Sequence, residues 1–180
     1  MVVRIVRIVR IVRIVGIVVA ALVVVTGGLY GWTRSHPHKL RAEIEVNASA
    51  AQVWQVLTDF QAYPEWNPFI LSAAGEPRKG AKLVNKLAGK DGGKGMTFKP
   101  TVLIADPGHE LRWIGRFGVP GVVDGEHYFL IEETGPGRVK LTQGEDFTGF
   151  LVPFAGSAID VQDDFAAMNA ALKKRVEAAH

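Results

Sequence analysis

Cysteine is absent from the 180 residues, which excludes disulfide scaffolds, thiol nucleophiles and cysteine-held metal sites. Acidic residues are absent before residue 36, and that absence makes the formal charge of +3 misleading. Five of the 21 basic residues (Arg4, Arg7, Arg10, Arg13 and Arg34) precede residue 36, leaving 16 against 18 acidic side chains beyond it, a net of −2. The body of the chain therefore lacks the clustered Lys and Arg that nucleic-acid binding needs, and no nucleic-acid partner is expected. Charge of either sign is missing from residues 14–33. Only 22% of the chain is charged while 48% is hydrophobic, a balance that excludes wholesale disorder. At this length one domain with an appendage is expected.

The uncharged run is what an appendage for a membrane requires. Seventeen apolar residues as a helix rise about 26 Å at ~1.5 Å per residue, close to the thickness of a bilayer core. Tyr30 and Trp32 stand where an interfacial aromatic belt belongs. A single membrane-spanning helix is expected over residues 14–33, preceded by an Arg-Ile-Val repeat tail over 1–13 and followed by a linker over 34–39. The run is too long for a signal peptide, and Thr26-Gly27-Gly28 is a poor cleavage site, so an uncleaved anchor is expected. Arginines on the amino-terminal flank favour a cytoplasmic amino terminus, which puts the remaining domain on the extracytoplasmic side. His36 and His38 lack a third ligand at metal spacing and read as solvated linker residues.

Residues 40–178 read as one α+β domain. Leu40, Ala42, Ile44 and Val46 alternate with charged neighbours, a half-buried strand. Ser49-Ala50-Ala51-Gln52 is a capping box opening a helix whose apolar positions are Val53, Val56, Leu57 and Phe60. Pro64 suits the first turn of a second, very short helix, and Pro68 ends it at Asn67. Residues 69–148 are cut by Gly- and Pro-rich turns into about six short strands, including one over 96–105, whose short connections imply an antiparallel meander. Ser157-Ala158-Ile159-Asp160 reads as a second cap, and Val161, Phe165, Met168, Leu172 and Val176 form the stripe of a long final helix. One curved sheet with that helix across it buries the stripe and leaves a gap suited to a ligand.

Strand parity nominates the wall of that gap. Leu111, Trp113 and Phe117 share one face of their strand, as do His127 and Phe129, and as do Gln143, Glu145 and Phe147. Trp66 and Phe98 are candidates to close it, and all these aromatics read equally as ordinary core. His127 and Glu145 are the inward pair capable of acid–base work if their strands are neighbours, since a carboxylate orients an imidazole for proton transfer. A buried structural hydrogen bond is the preferred reading of the pair, and no catalytic residue is assigned on this ground. The glycine-rich loop over 89–95 has two lysines but no helix start, so it reads as a hairpin loop, not a phosphate cradle. Residues 118–123 are unusually apolar for a loop; a hairpin tip is expected, with a cavity lid or a membrane-dipping loop as alternatives. No metal or cofactor pattern is found, so none is expected.

The succession of alternating strand, Ser49-Ala50-Ala51-Gln52-Val53-Trp54 and Phe60-Gln61-Ala62-Tyr63-Pro64-Glu65-Trp66-Asn67-Pro68-Phe69 resembles the opening of the polyketide cyclase/dehydrase group. That group belongs to the START-like (SRPBCC, helix-grip) superfamily. Gly125-Glu126-His127-Tyr128-Phe129 and Gly144-Glu145-Asp146-Phe147-Thr148-Gly149 resemble its last strands. The resemblance covers residues 40–178 and implies a curved antiparallel sheet wrapped on a long carboxy-terminal helix, with a cavity for hydrophobic small molecules or lipids. It does not by itself imply catalysis. Three functions follow as expectations: membrane-anchored binding or transport of a hydrophobic molecule, a cofactor-free cyclase or dehydratase, and a module that recruits another protein.

Overall fold

The computed structural model describes residues 2–89 and 93–178. Helix α1 (Val2–Ser35) runs without a break through the arginine repeat and the uncharged segment. From Val6 to Ser35 it is long and apolar enough to cross a membrane. Strand β1 (His38–Val46) follows within three residues, so the connector is shorter than the predicted linker. The inward set Leu40, Ala42, Ile44 and Val46 is turned to the core, with Val46 fully buried.

Helix α2 (Ala50–Thr58) opens with the predicted capping box. Ser49 Oγ accepts from the Gln52 backbone N–H, and Gln52 Oε1 accepts from Ser49 N at 2.8 Å. Such a cap stabilises a short helix by about 1 kcal/mol. A 3-10 turn (Phe60–Ala62) and the one-turn helix α3 (Tyr63–Trp66) follow, and Asn67 is extended before Pro68. Tyr63 is buried and donates its hydroxyl hydrogen bond to Leu57 O at 2.7 Å; burial pushes its ionisation well above the usual range.

The remaining strands are β2 (Ile70–Ala74), β3 (Val84–Leu87), β4 (Met96–Phe98), β5 (Thr101–Asp106), β6 (Glu110–Phe117), β7 (Val123–Gly135) and β8 (Arg138–Thr148). All pairings are antiparallel, in the orders β1-β8-β7-β6-β5 and β2-β3-β4. The single strand expected over 96–105 is two strands. Pro100 has no N–H to give a ladder, and the chain shifts there from one sheet to the other. Backbone bonds from Gly80 N to Val102 O, Leu83 N to Pro100 O and Val102 N to Ala81 O bridge the two sheets into one curved wall. Part of the predicted loop over 89–95, residues 90–92, lies outside the described residues.

After β8 the chain makes a short helix α4 (Val152–Ala155) and a 3-10 turn over 156–158. The final helix α5 (Gln162–Glu177) begins later than the second capping signature predicts. Ile159 is drawn into the core, 6% exposed, so the chain must bend past Ser157-Ala158 before a helix can start. Phe165, Met168, Leu172 and Val176 are buried as the stripe requires. Asp163 and Asp164 at the amino end and Lys174 and Arg175 at the carboxy end complement the helix dipole. The fold is α+β: a curved antiparallel sheet gripping α5, preceded by one long apolar helix.

Candidate functional site

Strand register turns the inward residues into three rows across the concave face. One row is Gly115, Gly125 and Phe147; the next is Trp113, His127 and Glu145; the third is Leu111, Phe129 and Gln143. Helix α5 lies on the third row. Met168 Sδ is 3.5 Å from Gln143 Nε2, and Asn169 Nδ2 donates to Ala42 O, the residue paired with Gln143. Leu111, Phe129 and Gln143 are accordingly fully buried beneath the helix and do not line the cavity.

The first two rows stay open. They bound a cavity of about 430 Å³, within the range of ligand pockets, lined in the main by apolar side chains. Trp113, His127, Glu145 and Phe147 form its floor, Phe69, Ile70 and Leu87 one side, and Ile159 and Val161 the other. Phe98 and Phe117 also line it. Phe117 is 47% exposed and stands at the mouth, with Arg116 and Gly118 beside it. Trp66 does not reach this space. It packs edge-on against Tyr63 and borders a separate cleft with Asp59 and Arg175, because α3 lies beside the carboxy-terminal turns of α5, where Glu65 pairs with Arg175.

Gly115 and Gly125, which have no side chain to mark them as wall residues, share the parity of Trp113 and His127. They face each other across β6 and β7, and two missing side chains there leave the hollow. A Cβ on Gly125 would overlap Glu145 Oε1 and come within 3.0 Å of the Phe147 ring; one on Gly115 would meet the Phe98 ring at 3.1 Å. The signal was legible as glycine at inward positions of two successive strands.

His127 and Glu145 are direct cross-strand partners. The ring is 4% exposed, stacked on Trp113 at 4.8 Å with nearly parallel planes, and met edge-on by Phe165 at 4.9 Å. Gln143 Nε2 lies 3.2 Å from His127 Nε2, and His127 Nδ1 lies 3.3 Å from Glu145 Oε2. The imidazole is thus fixed in plane and rotation by a partner at each ring nitrogen, while the Glu145 carboxylate faces the cavity. Chemically the arrangement offers an acceptor to a ligand hydroxyl or a proton-transfer pair, set in mainly apolar walls that also include Thr97, Lys99 and Arg116. Among the described residues no group of three or more His, Asp or Glu is placed to hold a metal ion.

Fold and cavity together define a helix-grip, START-like protein with an internal apolar pocket. Residues 37–177 match the family described as polyketide cyclase/dehydrase and lipid transport, and the chain belongs to that family. No curated protein matches the sequence. Among solved structures, a START superfamily protein from Mycobacterium smegmatis is similar at 24% identity and TM-score 0.61, over 79% of this chain and 99% of that one. Norcoclaurine synthase from Thalictrum flavum, in complex with dopamine and hydroxybenzaldehyde, is similar at 17% identity and TM-score 0.63, over 80% and 88% of the two chains. The Zhui aromatase/cyclase from Streptomyces sp. R1128 is similar at 17% identity and TM-score 0.63, over 79% and 94%.

Proposed function

We propose that the protein binds or carries a hydrophobic small molecule or lipid, of acyl, isoprenoid or polyketide-like kind, while α1 anchors it in a membrane. The observation that carries this reading is the apolar cavity over Trp113 and Phe147, kept open by the Gly115–Gly125 pair. A cavity of about 430 Å³ suits one such molecule, and Glu145 beside His127 on its floor supplies a polar point to orient it. The family's description includes lipid transport. The apolar length of α1 and the arginines on its amino-terminal flank support a single-pass anchor with the domain on the extracytoplasmic side. The test is native mass spectrometry of the full chain released from detergent, with extraction of whatever remains bound. A discrete nonpolar ligand at one per chain is expected, lost when Gly115→Phe fills the cavity; a folded protein that neither retains nor takes up any member of a lipid panel refutes the reading.

A second reading, cofactor-free catalysis, is favoured by one observation: His127 and Glu145 are held together on the cavity floor. Enzymes occur among the solved neighbours, as the synthase and the aromatase/cyclase show for themselves. Turnover of the extracted ligand by the native chain, abolished in Glu145→Gln with binding retained, is the outcome that selects this reading over carriage.

A further inference from the structure

The last turn of α1 is fastened to the domain. Gly149 N–H donates to Thr33 Oγ1 at 3.0 Å, and that hydroxyl lies 3.3 Å from Gly149 O, with Thr33 1% exposed. Gly149 has φ +134, and a Cβ there would strike the backbone at Val122, so this close approach depends on glycine. One turn earlier in α1, the Tyr30 ring packs against Gly121 in the β6–β7 hairpin. The hairpin tip therefore sits at the depth of Tyr30, inside the apolar helix and not beyond its end.

The surface around this junction is apolar without anything covering it. Val119 is 66% exposed, Phe154 72%, Phe117 47% and Leu151 42%. These residues are contiguous: Phe150 N donates to Gly121 O and Leu151 N to Val122 O, which lays the start of α4 along the hairpin. Phe117 and Gly118 of the same hairpin line the cavity mouth. Across from them Ile159 borders both the cavity and a cleft that includes Trp32, Thr33 and Val152. Arg34 lies over the Tyr30 ring of α1, and Arg116, paired with Asp124, directly precedes Phe117. An apolar tip with arginines beside it matches the acyl boundary and the headgroups of a lipid surface.

We infer that the β6–β7 hairpin tip and α4 form a membrane-docking rim, so that the cavity mouth opens at the bilayer interface and its ligand enters from lipid. The inference rests on the anchoring reading, because α1 sets the height of the rim, and the occupant is a lipid surface. A ligand of low water solubility then exchanges without crossing solvent.

Because the chain has no cysteine, single-cysteine variants of the full protein report position cleanly. Val119→Cys and Phe154→Cys on the rim, Val19→Cys within α1 and Glu133→Cys near the β7–β8 turn are each labelled with an environment-sensitive fluorophore. They are reconstituted in nanodiscs of phosphatidylcholine and phosphatidylglycerol, with or without nitroxide-bearing lipids. Rim probes are expected to shift to the blue and be quenched by nitroxides near the headgroup, Val19 by nitroxides deep in the chain, and Glu133 by neither. Water-like emission at Val119 and Phe154 with Val19 quenched overturns the rim while the anchor stands. Rim probes shifted to the blue yet untouched by nitroxide lipids indicate a protein contact, such as a second copy, and also overturn it. No quenching at any position overturns the anchor and the rim together; rim quenching without Val19 quenching supports the docking surface and refutes the anchor.

Discussion

The hollow at Gly125 yields a prediction that can be worked through in numbers. In Gly125→Ala the new methyl overlaps Glu145 Oε1, the free end of a flexible side chain, and reaches 3.0 Å from the Phe147 ring. The cheapest response is rotation of the Glu145 carboxylate away from His127. A hydrogen bond to a charged group contributes about 1.5–3 kcal/mol, and this one belongs at the low end because it is 3.3 Å long and the carboxylate side chain is 17% exposed. A loss of about 1–2 kcal/mol is expected for Gly125→Ala, against less than about 1 kcal/mol for Gly115→Ala, where the partly exposed Phe98 ring can yield. The decisive measurement is a double-mutant cycle. If the cost arises through Glu145, Gly125→Ala on a Glu145→Ala background costs nearly nothing, giving a coupling of about 1–2 kcal/mol. Urea denaturation of the full chain in mild detergent, followed by tryptophan fluorescence, reads all four proteins. Additive losses, with no coupling, would refute the claim that the glycine makes room for the carboxylate.

Other outcomes follow from the packing. Leu172→Ala removes a fully buried side chain from α5 and is expected to cost about 2–5 kcal/mol by the same denaturation assay. Thr33→Val leaves the Gly149 N–H buried without its acceptor, at about 1–3 kcal/mol, and should appear as faster hydrogen exchange at Gly149 and faster proteolysis of residues 34–37. The backbone N–H of Asn47, and then its side-chain amide, donate to the Glu177 carboxylate and hold its pKa below the usual 4.5. With the folded value depressed, this contribution is complete above pH 4.5 and fades as pH falls through the lower folded value. Melting temperature against pH should therefore lose part of its acid slope in Glu177→Gln; an unchanged slope counts against that carboxylate.

Residues within a few positions of one another carried most of what the sequence by itself determined. The capping box at Ser49, the alternation from Leu40 to Val46, the stripe from Phe165 to Val176 and the uncharged run over 14–33 all follow from local geometry. Parity likewise put Trp113, His127, Glu145 and Phe147 on one face, because a strand's side chains alternate whatever surrounds it. What parity cannot state is how far along those strands the covering helix lies. Helix α5 settles on the row of Leu111, Phe129 and Gln143, reaches the next row only through the Phe165 edge on His127, and leaves the rest of that row and the row of Gly125 to the cavity, a choice made by contacts between Met168, Asn169 and strands more than 20 residues away. The break at Pro100, the late start of α5 after Ile159 and the seat of Thr33 on Gly149 are of the same kind. Local pattern fixed which side chains face inward; only tertiary packing decided which of them touch a helix and which face an empty space, since burial is a property of two surfaces that the chain brings together from afar.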